Sequence, residues 1–540
     1  MKFNLTSKII LIIEDYPVMR KAMKDTLHTL GAQSIFETEN GVAAITAMEQ
    51  QKFDIILCDF DLGEGRNGQQ ILEEARLKQL ISFNTIFIIV TAHQGVSSVL
   101  STIETKPDEF LTKPFNAQQL LRRLEKSYYR KQCFSDIERE INKGNLASAI
   151  HYCDELLAHK NNAPRTQLLK MRAELAIKTA DFDRAITIYQ EILDNRELSW
   201  ARIGTGVVAF FQNKHHLAIA IFQELIDQNP MLLECYDWLA QSYQALERYS
   251  DAEETLKQAT EISPHSFFRQ KKLAVLADKL EHLDISEKAY IAVSTLGKHS
   301  VHQSPSDYSG LANVYSKNNK QLEALQILNG MRQHFINNPE SELRAVSLET
   351  EIYQKIGDSK LSEHAFEQVK KFSDQLKDKI PKDLQLDIAK AFYLNDDIET
   401  ADSIISSLVN NHIDDNTVMN DIRHMQSAIG RGDDLEQLIL RTKQELIKIN
   451  NTGVELFQQG LIKEAFATFK QAAKKMPHNK TIILNMAKLT IHALKETGVN
   501  KENLLLAHQY LKKAKQEGIS QEKIGSLQVE FEKLTTPHSS

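Results

Sequence analysis

Ile55-Ile56-Leu57-Cys58-Asp59-Phe60-Asp61 decides how the first part of the chain folds. Four apolar residues, two of them β-branched, end abruptly in a carboxylate. So short and unbroken a run is a strand covered on both faces, and its last residues mark where the chain leaves the sheet. Two further runs have the same form: Ile9–Ile13 leads into Glu14-Asp15, and Ile86–Val90 into Thr91. A shorter one, Phe110-Leu111, leads to Lys113-Pro114. Between them the apolar spacing predicts helices such as Val18–Leu30 and Gln69–Gln79. Strands alternating with helices predict an α/β domain, a doubly wound five-stranded parallel sheet. In such a sheet the working groups gather at the carboxyl ends of the strands.

Glu14, Asp15 and Asp59 would there place three carboxylates beside the Thr91 hydroxyl and the Lys113 ammonium. Carboxylates this close repel one another unless a cation intervenes. Mg2+ has the required chemistry: it prefers oxygen ligands, keeps several waters and pairs with phosphate oxygens. Neutralised in this way, Asp59 can attack a phosphoryl group and become an aspartyl phosphate. Lys113 offers a compact charge to that group, and Thr91 a hydrogen bond made only in the modified state. An acidic pair after a strand is by itself often a solvated turn, and a lysine before proline is commonplace. The four places in this order carry the reading, with Asp59 as the phosphorylation site and Asp59, Thr91 and Lys113 as the catalytic set.

Residues 8–128 resemble the receiver domain of two-component response regulators, a flavodoxin-like fold. The matching stretches are Glu14-Asp15, Leu57-Cys58-Asp59-Phe60-Asp61, Val90-Thr91-Ala92 and Phe110-Leu111-Thr112-Lys113-Pro114-Phe115. The resemblance implies that Asp15 and Asp59 bind Mg2+ directly, Glu14 through water, and Asp61 through its backbone carbonyl. It implies Thr91 and Phe110 as switch residues, a sensor histidine kinase as phosphodonor, and homodimerisation through the receiver. Catalysis is then limited to self-phosphorylation and dephosphorylation, and Asp61 and His93 occupy positions linked to phosphate lifetime. The sequence departs from the family pattern at Leu62-Gly63-Glu64-Gly65 and at Thr105-Lys106-Pro107, and its switch aromatic is Phe110 where tyrosine is common.

Beyond about residue 130 the strand signal ends and helix pairs follow. Ala218, Phe222, Leu225 and Pro230 form a grid that Ala252, Leu256, Ala259 and Pro264 repeat 34 residues later, from 218 to 252. Ala465, Phe469, Ala472 and Pro477 repeat it again. This helix–turn–helix period resembles the tetratricopeptide repeat (TPR). Weaker copies fall around Ala149, Ala185, Ser286, Ala324, Ser362, Ala401 and Ala507, and residues 410–450 fit poorly. Small residues are needed where two helices cross closely, and the proline stops the second helix. The expected architecture is therefore α/β plus all-α: a receiver over 1–128, an α-helical TPR solenoid over 129–535 and a disordered tail over 536–540.

Net charge is −7 in 540 residues with no long basic block, so nothing draws the chain to nucleic acid or anionic lipid. Arg122, Arg123, Lys126, Arg130 and Lys131 are expected on the solvated face of the last receiver helix as it runs into the solenoid. No apolar stretch approaches the roughly 18 residues of a membrane span. Four scattered cysteines match neither a disulfide framework nor a metal site, and a cytoplasmic location is expected. No helix-turn-helix, Walker loop or metalloprotease helix occurs, so the output is expected to be protein binding. In the repeat from Ser199, Trp200, Ile203, Val207, Phe210 and Phe211 fall where the repeat geometry lines a concave groove for a protein partner; packing against the next pair explains them equally well. The functional expectation is a phosphorylation-switched adaptor. The alternatives are a phosphate sink on a shared histidine kinase, or a regulator of a partner second-messenger enzyme.

Overall fold

The computed structural model of the chain describes residues 3–92, 106–159, 164–497 and 501–535. Its first part holds strands β1 (Ile9–Ile13), β2 (Ser34–Thr38), β3 (Ile55–Asp59), β4 (Ile86–Thr91) and β5 (Glu109–Thr112). Helices α1 (Pro17–Thr29), α2 (Gly41–Gln50), α3 (Gly68–Leu77) and α4 (Ala117–Lys143) accompany them. All strand pairs are parallel, in the order β2-β1-β3-β4-β5. This is the flavodoxin-like order, with its switch point between β1 and β3.

Strand alternation builds two apolar layers. Ile10, Ile12, Leu57, Ile88 and Val90 face Met23 and Leu27 of α1 and Leu120 and Leu124 of α4. Leu11, Ile13, Ile56, Phe87 and Ile89 face Ala44 and Met48 of α2 and Ile71, Leu72 and Ala75 of α3. The uninterrupted apolar runs seen in the sequence follow from this burial on both faces. The edge strands depart from it: β2, Ser-Ile-Phe-Glu-Thr, has no fully buried residue, and β5 buries only Glu109 and Leu111.

α4 runs unbroken from Ala117 to Lys143, so the boundary expected at 128/129 lies inside one helix. Four of its cations pair with acids at or just before β5: Arg123 and Lys126 with Glu109, Arg130 and Lys131 with Asp108. Lys131 is itself buried and donates to the carbonyls of Phe83 and Thr85.

The helical region continues with α5 (Leu146–Ala158), α6 (Arg165–Lys178), α7 (Phe182–Asn195), α8 (Ser199–Phe211) and α9 (His215–Gln228). Then come α10 (Leu233–Ala245), α11 (Tyr249–Ile262), α12 (Phe267–Lys279) and α13 (Leu283–Gly297). Residues 1–175 and 185–307 form one compact unit; 308–540, with the short segment 176–184, form a second. The second is helical throughout its described residues and, like the first, is built of antiparallel pairs such as Pro339–Ile356 with Ser359–Leu376.

The small-residue grid has a direct physical correlate. Ala149, Ala185, Ala218, Ala252, Ser286, Ala324, Ser362, Ala401, Ala465 and Ala507 are all at most 3% exposed. All but Ala507 occupy the fourth position of their helix. First helices carry glycines for the same close approach. A Cβ on Gly206 would stand 2.6 Å from the Phe222 ring, and one on Gly453 would stand 2.2 Å from Phe469. The misfit over 410–450 is explained by a helix of 27 residues, Gly432–Gln458. It serves two successive pairs without a turn, and Leu435 takes the place of the small residue, packed with Leu408 and Ile422. The tail 536–540 and His93 lie outside the described residues. No helix among the described residues is long and apolar enough to cross a membrane.

Candidate functional site

Sheet register assembles the site. Ile13 pairs with Cys58, so Glu14 and Asp59 leave the sheet side by side. Asp59 pairs with Val90, one residue before Thr91, and Thr91 pairs with Thr112, one residue before Lys113. The Lys113 amide donates to the Thr91 carbonyl at 2.8 Å, which anchors the lysine backbone to the end of β4. Four positions that are distant in sequence thus form one row along the carboxyl edge.

Lys113 Nζ lies 2.7 Å from Glu14 Oε2 and 2.9 Å from Asp59 Oδ2. Glu14 and Asp59 are buried, while Asp15 is exposed at the rim. Burial pushes the carboxyls of both Glu14 and Asp59 above the ordinary range, against the opposing pull of Lys113. Burial alone would lower the Lys113 ammonium, but hydrogen bonds to both carboxylates outweigh it and raise the net value. Arg20 donates to the Glu14 backbone carbonyl, which fixes the acidic pair from the side of α1.

Oxygen atoms of Glu14, Asp15 and Asp59 all lie within 4.8 Å of one another. Three hard carboxylate donors at this spacing, two of them buried, fit a small divalent cation of the Mg2+ type. They form the single such cluster among the described residues. The Asp61 side chain accepts from the Gly63 amide at 3.2 Å, which shapes the loop beyond Asp59. Thr91 closes β4 and is half-buried; Phe110 is half-buried on β5 and packs on the apolar layer of α2 and α3.

Gly68 was not singled out in the sequence, although it opens α3. A Cβ there would stand 2.4 Å from the Asp59 carbonyl oxygen and 3.2 Å from Cys58 Sγ. α3 therefore rests on the backbone of the acidic residue itself. Its start is fixed by a capping box in which Asn67 Oδ1 accepts from the Gln70 amide and Gln70 Oε1 accepts from the Asn67 amide. The Asn-x-x-Gln spacing was the available signal.

The residues expected to line a groove in the repeats pack between helices. Ile203 and Val207 are buried. Phe210 and Phe211 lie edge-on to Trp238 at 5.4 and 5.8 Å, and Trp200 packs on Tyr189 at 6.1 Å. Aromatic residues on a first helix meet a neighbouring pair as readily as a ligand: here Phe210 and Phe211 meet the next pair and Trp200 meets the preceding one.

The response regulator receiver domain family matches residues 10–125, and a tetratricopeptide repeat family matches residues 233–266. The chemotaxis protein CheY of Pseudomonas aeruginosa is 26% identical over 121 residues, covering 22% of this chain and 96% of that protein. The receiver domain of Francisella response regulator 1452 is similar over 23% of this chain and 98% of its own, at 22% identity and a TM-score of 0.21. The C-terminal part of a TPR repeat-containing protein from Cytophaga hutchinsonii is similar over 45% of this chain and 97% of its own, at 14% identity and a TM-score of 0.37. With its parallel sheet, acidic cleft and stacked helix pairs, the chain carries an N-terminal response regulator receiver domain joined to a region of tetratricopeptide repeats.

Proposed function

We propose that Asp59 accepts a phosphoryl group from a sensor histidine kinase and that this modification switches a protein contact made by the repeats. The observation that carries the reading is Lys113 held between Glu14 and Asp59 inside a cluster of three carboxylates. In the step proposed, an Asp59 carboxylate oxygen attacks the phosphorus of a phosphohistidine. An O–P bond forms, the N–P bond breaks, and the imidazole leaves and takes up a proton. Mg2+ held by Glu14, Asp15, Asp59 and the Asp61 carbonyl would supply charge neutralisation. Lys113 would pair with the transferred group, and Thr91 would donate to one of its oxygens. Phe110 would follow Thr91 by changing rotamer.

The repeats supply the output, since TPR architecture is a protein-binding one and Arg123, Lys126, Arg130 and Lys131 of α4 are paired within the chain. The test is affinity capture on full-length chain, with and without a beryllofluoride–Mg2+ mimic, beside Asp59→Asn. A partner whose recovery depends on the mimic in wild type but not in Asp59→Asn supports the reading. Identical recovery in all four samples overturns the switch.

A further inference from the structure

The receiver touches the repeats of its own unit through α3, the helix that rests on the Asp59 carbonyl. Gln70 Nε2 donates to the carbonyls of Leu296 and Lys298, at 3.1 and 3.3 Å, at the C-terminal end of α13. One turn further, Glu73 Oε2 lies 3.6 Å from His302 Nε2, while its other oxygen accepts from Gln69 at 3.2 Å. The His302 ring packs on Phe268 of α12 at 4.8 Å. Phe268 and Phe60 share the wall of a cavity of about 410 Å3 between the two domains.

Each of these contacts has a short path to Asp59. The Phe60 amide donates to the Val90 carbonyl at 2.8 Å, and the Phe60 carbonyl accepts from Gly68 at 2.9 Å. The peptide after Asp59 is therefore clamped between β4 and the start of α3. The Gln70 side chain works at both ends. Its oxygen closes the capping box of α3, and its nitrogen holds the end of α13. A carbonyl-rich helix end favours a donor there and disfavours negative charge.

We infer that the α3 face of the receiver is the docking surface for the α12–α13 repeat, and that phosphorylation of Asp59 loosens this dock. The coupling half of the inference rests on the phosphoacceptor reading; the docking half does not. The docked arrangement belongs to an Asp59 carboxylate paired with Lys113. A phosphoryl group that recruits Lys113 and Thr91 changes the carboxyl edge on which Phe60 and Gly68 are seated. Gly68 leaves no slack, so a shift at the Asp59 carbonyl must move α3 and with it Gln70 and Glu73.

Gln70→Glu tests the dock selectively. A carboxylate keeps the acceptor of the capping box but removes both donors and places negative charge against the end of α13. Hydrogen exchange is followed on full-length chain in peptides covering 68–77 and 296–304, and bound beryllofluoride is detected by 19F NMR. The dock predicts that Gln70→Glu speeds exchange in 296–304 by about fivefold or more without any mimic. The coupling predicts that beryllofluoride with Mg2+ speeds the same peptide in wild type, and that Asp59→Asn shows no response. Unchanged exchange in Gln70→Glu overturns the dock. Bound fluoride with no change in 296–304 overturns the coupling while sparing the phosphoacceptor reading. Absence of bound fluoride in wild type overturns that reading and the coupling with it, and the Gln70→Glu arm still decides the dock.

Discussion

Lys113 and Asp59, 54 positions apart in sequence (59 to 113), meet at 2.9 Å because β3 pairs with β4 and β4 with β5, which sets the last residue of β3 and the residue after β5 on one edge. The same ammonium is shared with Glu14, so one cation serves two buried carboxylates.

Lys113→Met should therefore remove the charge that faces the transferred group and leave both carboxylates without their shared cation. Phosphoryl uptake from a small donor such as phosphoramidate is expected to fall by about 10²–10³-fold, the usual effect of deleting one preorganised electrostatic contact. Mass spectrometry of the intact chain reads the uptake, and circular dichroism checks that the fold survives. A rate within a factor of a few of wild type would remove Lys113 from the mechanism.

The raised carboxyls of Glu14 and Asp59 set the sign of a pH effect. A carboxyl whose folded pKa exceeds its unfolded value binds protons more readily when folded. Its contribution to stability is fully present below the unfolded value and is lost as pH rises through the folded one. Glu14→Gln should thus flatten the loss of receiver stability between the acid range and neutrality, as measured by exchange of the β3 amides across pH. An unchanged or steeper pH dependence would contradict the assignment.

Gly68→Ala should be disruptive although alanine favours a helix. The added methyl meets the Asp59 carbonyl at 2.4 Å, and backbone cannot step aside as a flexible side chain can. A loss of about 1–3 kcal/mol is expected, the range for overpacking a dense site. The urea midpoint of the receiver transition measures it, and phosphoryl uptake should fall in the same variant.

In the repeats, Ala252→Leu places a large side chain where helices α10 and α11 cross, at a position with no exposure. It should destabilise that pair by about 1–3 kcal/mol. Lys257→Leu, on the exposed face of the same helix, should stay within about 0.5 kcal/mol. Hydrogen exchange over 233–262 compares the two, and equal effects would mean that the small-residue grid does not mark the crossing.

Much of this architecture was legible in the chain, for identifiable reasons. β1, β3 and β4 announce themselves because burial on both faces demands unbroken apolar runs. β2 does not, because an edge strand with Glu37 and Ser34 exposed carries no such run. The order Glu14-Asp15, Asp59, Thr91, Lys113 was readable because each stands at the end of a strand or directly after it. Gly68 was not, since its role depends on how closely α3 approaches the Asp59 carbonyl. The grid from Ala149 to Ala507 survived in sequence wherever a turn separates two helices. It vanished at 432–458, where one helix replaces two. Gln70 and Glu73 read as ordinary surface residues of an amphipathic helix; only the fold brings Leu296 and His302 to them. The apolar set around Trp200 had two readings, and periodicity alone could not choose between a groove and a packed interface.

The unbroken α4 turns spacing into a matter of phase. Each residue advances an α-helix by about 100°, so a single insertion near Tyr129 would rotate everything after it by that angle. Such a change would spare every side chain of the acidic cleft and every small residue of the repeats. Yet α13 would swing away from α3, and Gln70 would face water. The segment from Ala117 to Lys143 thus acts as a molecular gear whose tooth count matters more than its composition. Residue identity can drift on its exposed face, whereas gain or loss of one residue would turn the α12–α13 repeat away from α3.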